Sequence, residues 1–141
     1  MPLPEPYKNF NFRVEIDGIS IAAFSECTGL GSRVDVIEYR EGGSGAVRKL
    51  PGLRRFSDIV LKRGITGSRE LQDWHSNILK GQADRRNGSV ILLDDAGQEV
   101  VRWNFFNAFP SRWDGPHLKG DGQDVALETL TLSCEGLERA A

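Results

Sequence analysis

Between residues 9 and 16 the chain alternates without interruption. Phe10, Phe12, Val14 and Ile16 share one parity; Asn9, Asn11, Arg13 and Glu15 share the other. Successive side chains of a strand point to opposite faces, so the pattern predicts a strand with one buried face. Asp17-Gly18 is a hairpin signal, and "ISIAAF" (19–24) is predicted to return beside the first strand. "RVDVIEYR" and "FSDIVLKR" supply a third and a fourth strand on either side of a glycine-rich stretch. Helical spacing occurs in "SRELQDWHSNILK" (68–80), where Leu71, Trp74 and Ile78 form a stripe with Leu79 alongside. Ser68 is its predicted N-cap, Glu70 suits the positive first turn, and Gly81 follows as C-terminal cap. "SVILLD", the turn Asp94-Asp95-Ala96-Gly97 and "EVVRWNFF" predict another hairpin, with Val101, Trp103 and Phe105 on one face. "AFPSRWDGP" reads as an irregular crossing, and "VALETLTLSCEGL" as a closing strand with Leu130, Leu132 and Cys134 on one side. About seven strands and one helix predict a mostly β chain: an antiparallel barrel or pair of packed sheets with a flanking helix. The proline-spaced residues 1–8 read as an extended arm, and the 141 residues as one domain.

Composition narrows the chemistry. A net charge of −2 gives no general attraction to nucleic acid or to an anionic membrane. "MPLPEPYKNF" has no apolar core of the signal-peptide kind, and no apolar run approaches the roughly 20 residues of a membrane span. Synthesis in the cytoplasm is the expectation, and there Cys27 and Cys134 are expected to be unpaired small hydrophobes. His75 and His117 fall in different elements; His75 is expected to be a hydrogen-bonded, half-buried ring and His117 an exposed one. No CxxC or HxxxH seeds a metal site, and Asp94-Asp95 lack the alternating oxygen ligands of a calcium loop. No catalytic group, cofactor or metal is predicted. Trp103, Phe105 and Phe106 have only Arg102 beside them, a poor match to a nucleic-acid surface. An exposed Trp113 would mark a contact surface.

"EGGSGAVRKLPG" (41–52) raises the one alternative of chemical interest, a phosphate cradle. Counted from Gly43, Arg48 stands where a P-loop needs its second glycine, and Leu50 where it needs a hydroxyl. Gly43 and Gly45 give two glycines of a dinucleotide fingerprint, but Arg48 replaces the third and Pro51-Gly52 leave no helix to receive a pyrophosphate. Gly42 and Ser44 match the start of a nucleophile elbow, but Ala46 stands at its last glycine. A polar loop between two strands fits better.

Six segments, in order, resemble one family: "FRVEIDG" (12–18), "FSECTGLGSRVDVIEYREGG" (24–43), "LPGLRRFSDIVLKRGIT" (50–66), "LQDW" (71–74), "VRWNFFNAFPSRW" (101–113) and "ALETLTLSCEGL" (126–137). They look like the tail tube proteins of contractile phage tails and of extracellular contractile injection systems. The resemblance implies a fold like the haemolysin-coregulated protein of type VI secretion. It further implies a structural role without catalysis: six copies form a ring, and rings stack into a tube inside a contractile sheath. A baseplate would nucleate the tube, and DNA or an effector protein would pass along the lumen of the phage tail or released particle. The loop over 41–52 would reach a neighbouring subunit, with Glu41, Gly42, Gly43, Ser44, Gly45, Arg48 and Lys49 as contact residues. Arg48 and Lys49 would there meet carboxylates. Two alternatives stand beside this one. The first is a tube-initiating baseplate protein of the same fold; the second is a β-sandwich that stacks a ligand or carbohydrate on Trp103, Trp113 and Phe109.

Overall fold

The computed structural model describes residues 5–19, 24–43 and 45–140. In chain order the elements are β1 (Phe12–Ile16), β2 (Glu26–Thr28), β3 (Ser32–Arg40), β4 (Val47–Phe56), β5 (Ile59–Gly64), α1 (Glu70–Leu79), β6 (Arg86–Leu93), β7 (Glu99–Asp114), β8 (Leu127–Ser133) and β9 (Gly136–Arg139). Seven strands form one antiparallel sheet in the order β1-β6-β7-β8-β5-β2, with β9 also on β7. β3 and β4 pair only with each other. The expected mostly β, antiparallel architecture with one helix is therefore present. Nine strands stand among the described residues against the expected seven. β2 and β4 were not expected, the closing segment splits into β8 and β9 at Cys134–Glu135, and "ISIAAF", mostly outside the described residues, supplies none of them.

β7 joins the two halves. It pairs with β6 on one side, and on the other with β9 along Trp103–Phe106 and then with β8 along Phe109–Asp114. The segment expected to be irregular is thus a continuous strand whose alternation is broken by register shifts. Asn107 takes φ +51°, and Phe105 and Ala108, three apart, both point inward. A second shift follows Pro110. Each extra residue reverses the inside–outside parity, so simple alternation could not show the strand. The first turn-over is held by side chains: the Asn107 amide donates to Asn87 Oδ1 (2.9 Å), and Arg85 Nη1 donates to Glu135 Oε1 (2.6 Å) and to the Asn107 carbonyl (3.2 Å).

The sheet curls so that both halves cover one core. Val14, Val90 and Phe105 from one half meet Ile59, Leu61, Leu130 and Leu132 from the other, all almost fully buried. Phe10, expected on the same inward face as Val14, lies outside β1 and is exposed. Most of "ISIAAF" lies outside the described residues; its first residue bridges Ile16 to Ile19.

α1 buries Leu71 and Trp74 in this core and leaves Leu79 in solvent. Trp74 Nε1 donates to the Asp84 carbonyl (2.8 Å), and the Arg86 guanidinium lies 4.9 Å from its ring centroid. The Asp84 carboxylate in turn accepts from Arg86 Nε (3.0 Å) and Asn77 Nδ2 (3.0 Å), tying the helix to β6. Ser68 is not the N-cap: Arg69 holds that position without a side-chain cap, and the Ser68 amide donates to Thr66 Oγ1 (3.2 Å). The C-terminus follows expectation, with Gly81 at φ +84° donating to the Ile78 carbonyl.

One ion pair sits inside. Arg63 and Glu128 are cross-strand partners on the inward faces of β5 and β8, only 4% and 3% exposed, with Nε and Oε1 3.4 Å apart. The Phe24 ring centroid lies 5.7 Å from the guanidinium, while Arg63 Nη2 has no hydrogen-bond acceptor. Among the described residues no helix is long and apolar enough to cross a membrane.

Candidate functional site

β3 and β4 form a ribbon nine and ten residues long that adds to no other sheet. Its register sets Ile37 opposite Leu50, Glu38 opposite Lys49, Tyr39 opposite Arg48 and Arg40 opposite Val47, with a shift between Val34 and Val36. Ile37, Leu50, Tyr39 and Arg48 therefore share one face; Val36, Pro51, Glu38 and Lys49 share the other. Pro51 is tolerated because each strand of a two-stranded ribbon has an unpaired edge that needs no amide donor. Seven large apolar residues of the ribbon, from Val34 to Leu53, are between 42% and 69% exposed. A lone two-stranded hairpin is marginal in water, and this one shows apolar side chains on both faces.

Ion pairs decorate the ribbon without covering it. Arg55 Nε donates to Asp35 Oδ2 (2.8 Å), and Arg48 Nη1 lies 3.5 Å from Glu41 Oε1. Exposed pairs of this kind contribute about 0–1 kcal/mol. Between residues 32 and 56, six Arg and Lys face three Asp and Glu. That is +3 in a chain of −2, so the remaining residues carry −5.

The residues singled out from the sequence fall in two places. Glu41, Gly42, Gly43 and Gly45 belong to the turn that joins β3 to β4, and Gly43 and Gly45 take φ +87° and +70°. Ser44 lies outside the described residues. Arg48 and Lys49 are not loop residues: β4 begins at Val47, so the stretch expected as a loop over 41–52 is a turn over 41–46 followed by strand. Strand rather than helix follows the glycines, which removes the geometry that a phosphate cradle or a nucleophile elbow requires. The apolar residues of β4 were missed because Pro51-Gly52 was taken as a stop. No period-two signal was available, because Val47 shares its parity with Lys49 and Leu50 shares its parity with Arg48.

The other candidates are structural. His75 Nδ1 lies 2.9 Å from the Pro110 carbonyl, holding α1 against β7, and His117 is exposed in the β7–β8 loop. Asp94 Oδ1 accepts from the amides of Ala96 (2.9 Å) and Gln98 (2.8 Å), a self-contained turn, and Asp95 pairs with Lys8 (3.3 Å). Cys27 and Cys134 are free thiols against the core; burial pushes Cys27 up to about 11 and raises Cys134 as well. Trp113 is half-buried against the core opposite Leu130, not an exposed contact. Trp103 pairs with Val90 on the inward face, whereas Phe109 lies opposite Ser133 with the Arg85 guanidinium 5.0 Å from its ring centroid. The three rings therefore share no face and form no stacking platform. Among the described residues no cluster of His, Cys, Asp and Glu could hold a metal ion.

An edge-bearing β-fold with an uncovered apolar ribbon is a component built for neighbours, and the match to known proteins agrees. Residues 8–138 match the T4-like virus tail tube protein gp19 family. This chain belongs to that tail tube family. Three similar solved structures share the fold nearly end to end. One is the sheath–tube complex of the extracellular contractile injection system PVC in its extended state (31% identity, TM-score 0.88, covering 96% of this chain and 92% of that one). Another is the PVC sheath/tube terminator in the extended state (30%, TM-score 0.91, 99% and 100%). The third is the tube-terminating cap of the anti-feeding prophage (28%, TM-score 0.89, 99% and 93%). The anti-feeding prophage baseplate (24%) and Hcp1 from Flavobacterium johnsoniae (17%, TM-score 0.61) share the fold alone, the latter as the resemblance implied. No curated protein sequence matches the chain. Members of the tail tube family are structural proteins, and the tail tube fold accounts for nearly every residue described above.

Proposed function

We propose that this tail tube protein builds the inner tube of a contractile tail or tail-like injection particle, as rings of six copies stacked around a lumen. The ribbon of β3 and β4 is the arm that reaches a neighbouring copy. The observation that carries the reading is the ribbon itself: seven exposed apolar residues on two faces, in a chain of the tail tube family. Burying such surface between copies supplies the driving force for assembly, and the edges of β1 and β2, which end the sheet among the described residues, offer further backbone groups for a neighbour. The solved relatives are sheath–tube, terminator and cap assemblies. A sheath outside the tube, a baseplate or cap at its ends and DNA or an effector protein in its lumen follow as the partners proposed here. The turn residues Glu41, Gly42, Gly43, Ser44 and Gly45 let the arm's tip adapt, while Arg48 and Lys49 present charge beside it. No side chain performs chemistry; the work is mechanical.

Light scattering and negative-stain microscopy of the purified protein test this. Rings with a central hole, of six times the 15.6 kDa subunit mass, stacking into tubes at high concentration, are the expected result. Deleting residues 42–48 should leave rings that stack poorly. A strict monomer at every concentration, also in the presence of baseplate components, contradicts the reading. Rings that never stack would point instead to a tube initiator, the role nearest to this one.

A further inference from the structure

The arm reading leaves open what the arm lands on, and resting on that reading, we infer that the β3–β4 ribbon of one copy seats on the β7–β8 loop of the next. The positions of the two surfaces come first. The ribbon is rooted at the start of β5, where the Ser57 amide donates to the Gly31 carbonyl (3.0 Å). The loop, residues 115–126, packs at the other end of β5: the Ile65 amide donates to the Ala126 carbonyl (2.9 Å), and Val125 flanks Gly64. Six residues of extended strand separate them, about 20 Å. Two unlike surfaces rooted at opposite ends of β5 make a head-to-tail contact, which repeats along an axis instead of closing into a pair.

Chemistry matches the positions. Leu118 and Val125 are 80% and 75% exposed, and they border an open cleft of about 620 Å³ also lined by His117 and Asp124. Asp121 and Asp124 outnumber Lys119 in the loop. Lys119 and Asp124 both line the cleft, and Asp121 beside it leaves the loop as a whole with a net −1. The loop thus offers apolar surface and a small acidic excess to a ribbon that offers apolar surface and a net +3. Charge of opposite sign selects the partner and its register more than it adds affinity. The competing acceptor is the groove between the edges of β1 and β2, about 590 Å³, lined by Tyr7, Phe12, Leu30 and Trp103. Its charged residues are already matched, Lys8 with Asp95 (3.3 Å) and Glu26 with Lys62 (3.6 Å). It also opens at the start of β5, beside the ribbon's own root: its lining includes Thr28, opposite Val60, and Leu30, which precedes Gly31. It has neither the charge nor the position to receive a basic arm from the next copy along the axis.

Cysteine cross-linking decides between the two. Leu50→Cys in the ribbon is combined with Val125→Cys in the loop, or with Phe10→Cys beside the groove, in the full chain under mild oxidation. The expected result is a ladder of disulfide-linked multimers from the L50C/V125C protein, with the linkage confirmed by peptide mass spectrometry. A ladder from L50C/F10C instead, or from neither, overturns the assignment. A charge swap gives an independent reading. Asp121→Lys with Asp124→Lys should lower the stacked fraction about tenfold at unchanged melting temperature, and Arg48→Glu with Lys49→Glu should restore it. If the swap changes nothing, the loop is not the acceptor. If deletion of residues 42–48 also leaves stacking intact, the arm reading itself has failed. Loss of stacking on that deletion, with no L50C/V125C link, removes only the acceptor.

Discussion

β4 and β5 are separated by two residues and differ in almost everything else. In β5 every second residue is buried, and Ile59 and Leu61 have no exposed surface at all. In β4 not one residue is buried, although Val47, Leu50 and Leu53 are as apolar as anything in β5. Both are antiparallel strands paired along most of their length, β4 with one register shift. The contrast teaches that strand formation and burial are separate matters. β5 obtains its cover from the same chain, whereas β4 receives none from the described residues.

The largest effects should appear where β5 departs from its own pattern. Glu128→Leu or Arg63→Met alone leaves a buried unpaired charge and should cost about 3–5 kcal/mol in urea denaturation. The double substitution should recover most of that loss, because an apolar pair of similar volume removes both desolvation penalties. Next comes Leu61→Ala, with an expected loss of about 2–5 kcal/mol in the same measurement. The corresponding change across the divide, Leu50→Ala in β4, should move monomer stability by only about 0.5 kcal/mol or less yet shift ring stacking to higher protein concentration by light scattering. Equal losses at Leu61 and Leu50 would end the distinction between the two strands.

A smaller effect is expected with pH. The hydrogen bond from Arg86 holds the Asp84 carboxyl below its ordinary value of 3.8, with Asn77 adding to the same direction. A lowered folded-state value means that the carboxylate's contribution is complete above the ordinary value and is lost as pH falls below it. Asp84→Asn should therefore lower the melting temperature near neutrality, and by progressively less below about pH 4, so that the variant's fall with acid is flatter. The least effect concerns Cys27, whose thiol burial pushes up to about 11. Its alkylation at pH 8 should be more than about tenfold slower than that of a free thiol, followed by mass spectrometry of the folded protein.

Much of the body was legible because its strands obey their period. β1 and the first half of β7 follow alternation that needs no knowledge of the fold, β6 shows as a continuous apolar run from Val90 to Leu93, and α1 follows its stripe of Leu71 and Trp74. The second half of β7 was obscured by the two register shifts around Asn107 and Pro110, each of which inverts the parity on which the reading depends. The ion pair of Arg63 and Glu128 was invisible for a different reason. A charge on an apolar face makes sense only once its cross-strand partner, 65 positions away in the chain, is brought opposite. At the candidate site, the loop expected over 41–52 gives way to strand at Val47, which Pro51-Gly52 disguised. Pro51 breaks a strand only if both of its edges are paired, and edge pairing is a property of the sheet that no local window contains.

Gly29 deserves its last word for what it does to aim. At φ +90° it lies against β5 so closely that a Cβ there would sit 1.8 Å from the Asp58 carbonyl oxygen. The root of the ribbon is therefore set by backbone touching backbone, with no side chain between to soften the angle. In one copy a methyl group at this point would tilt the arm slightly. In the stack proposed above, every copy would inherit the same tilt from the one beneath it, and an offset too small to notice in one ring would become a change in the pitch of the whole column.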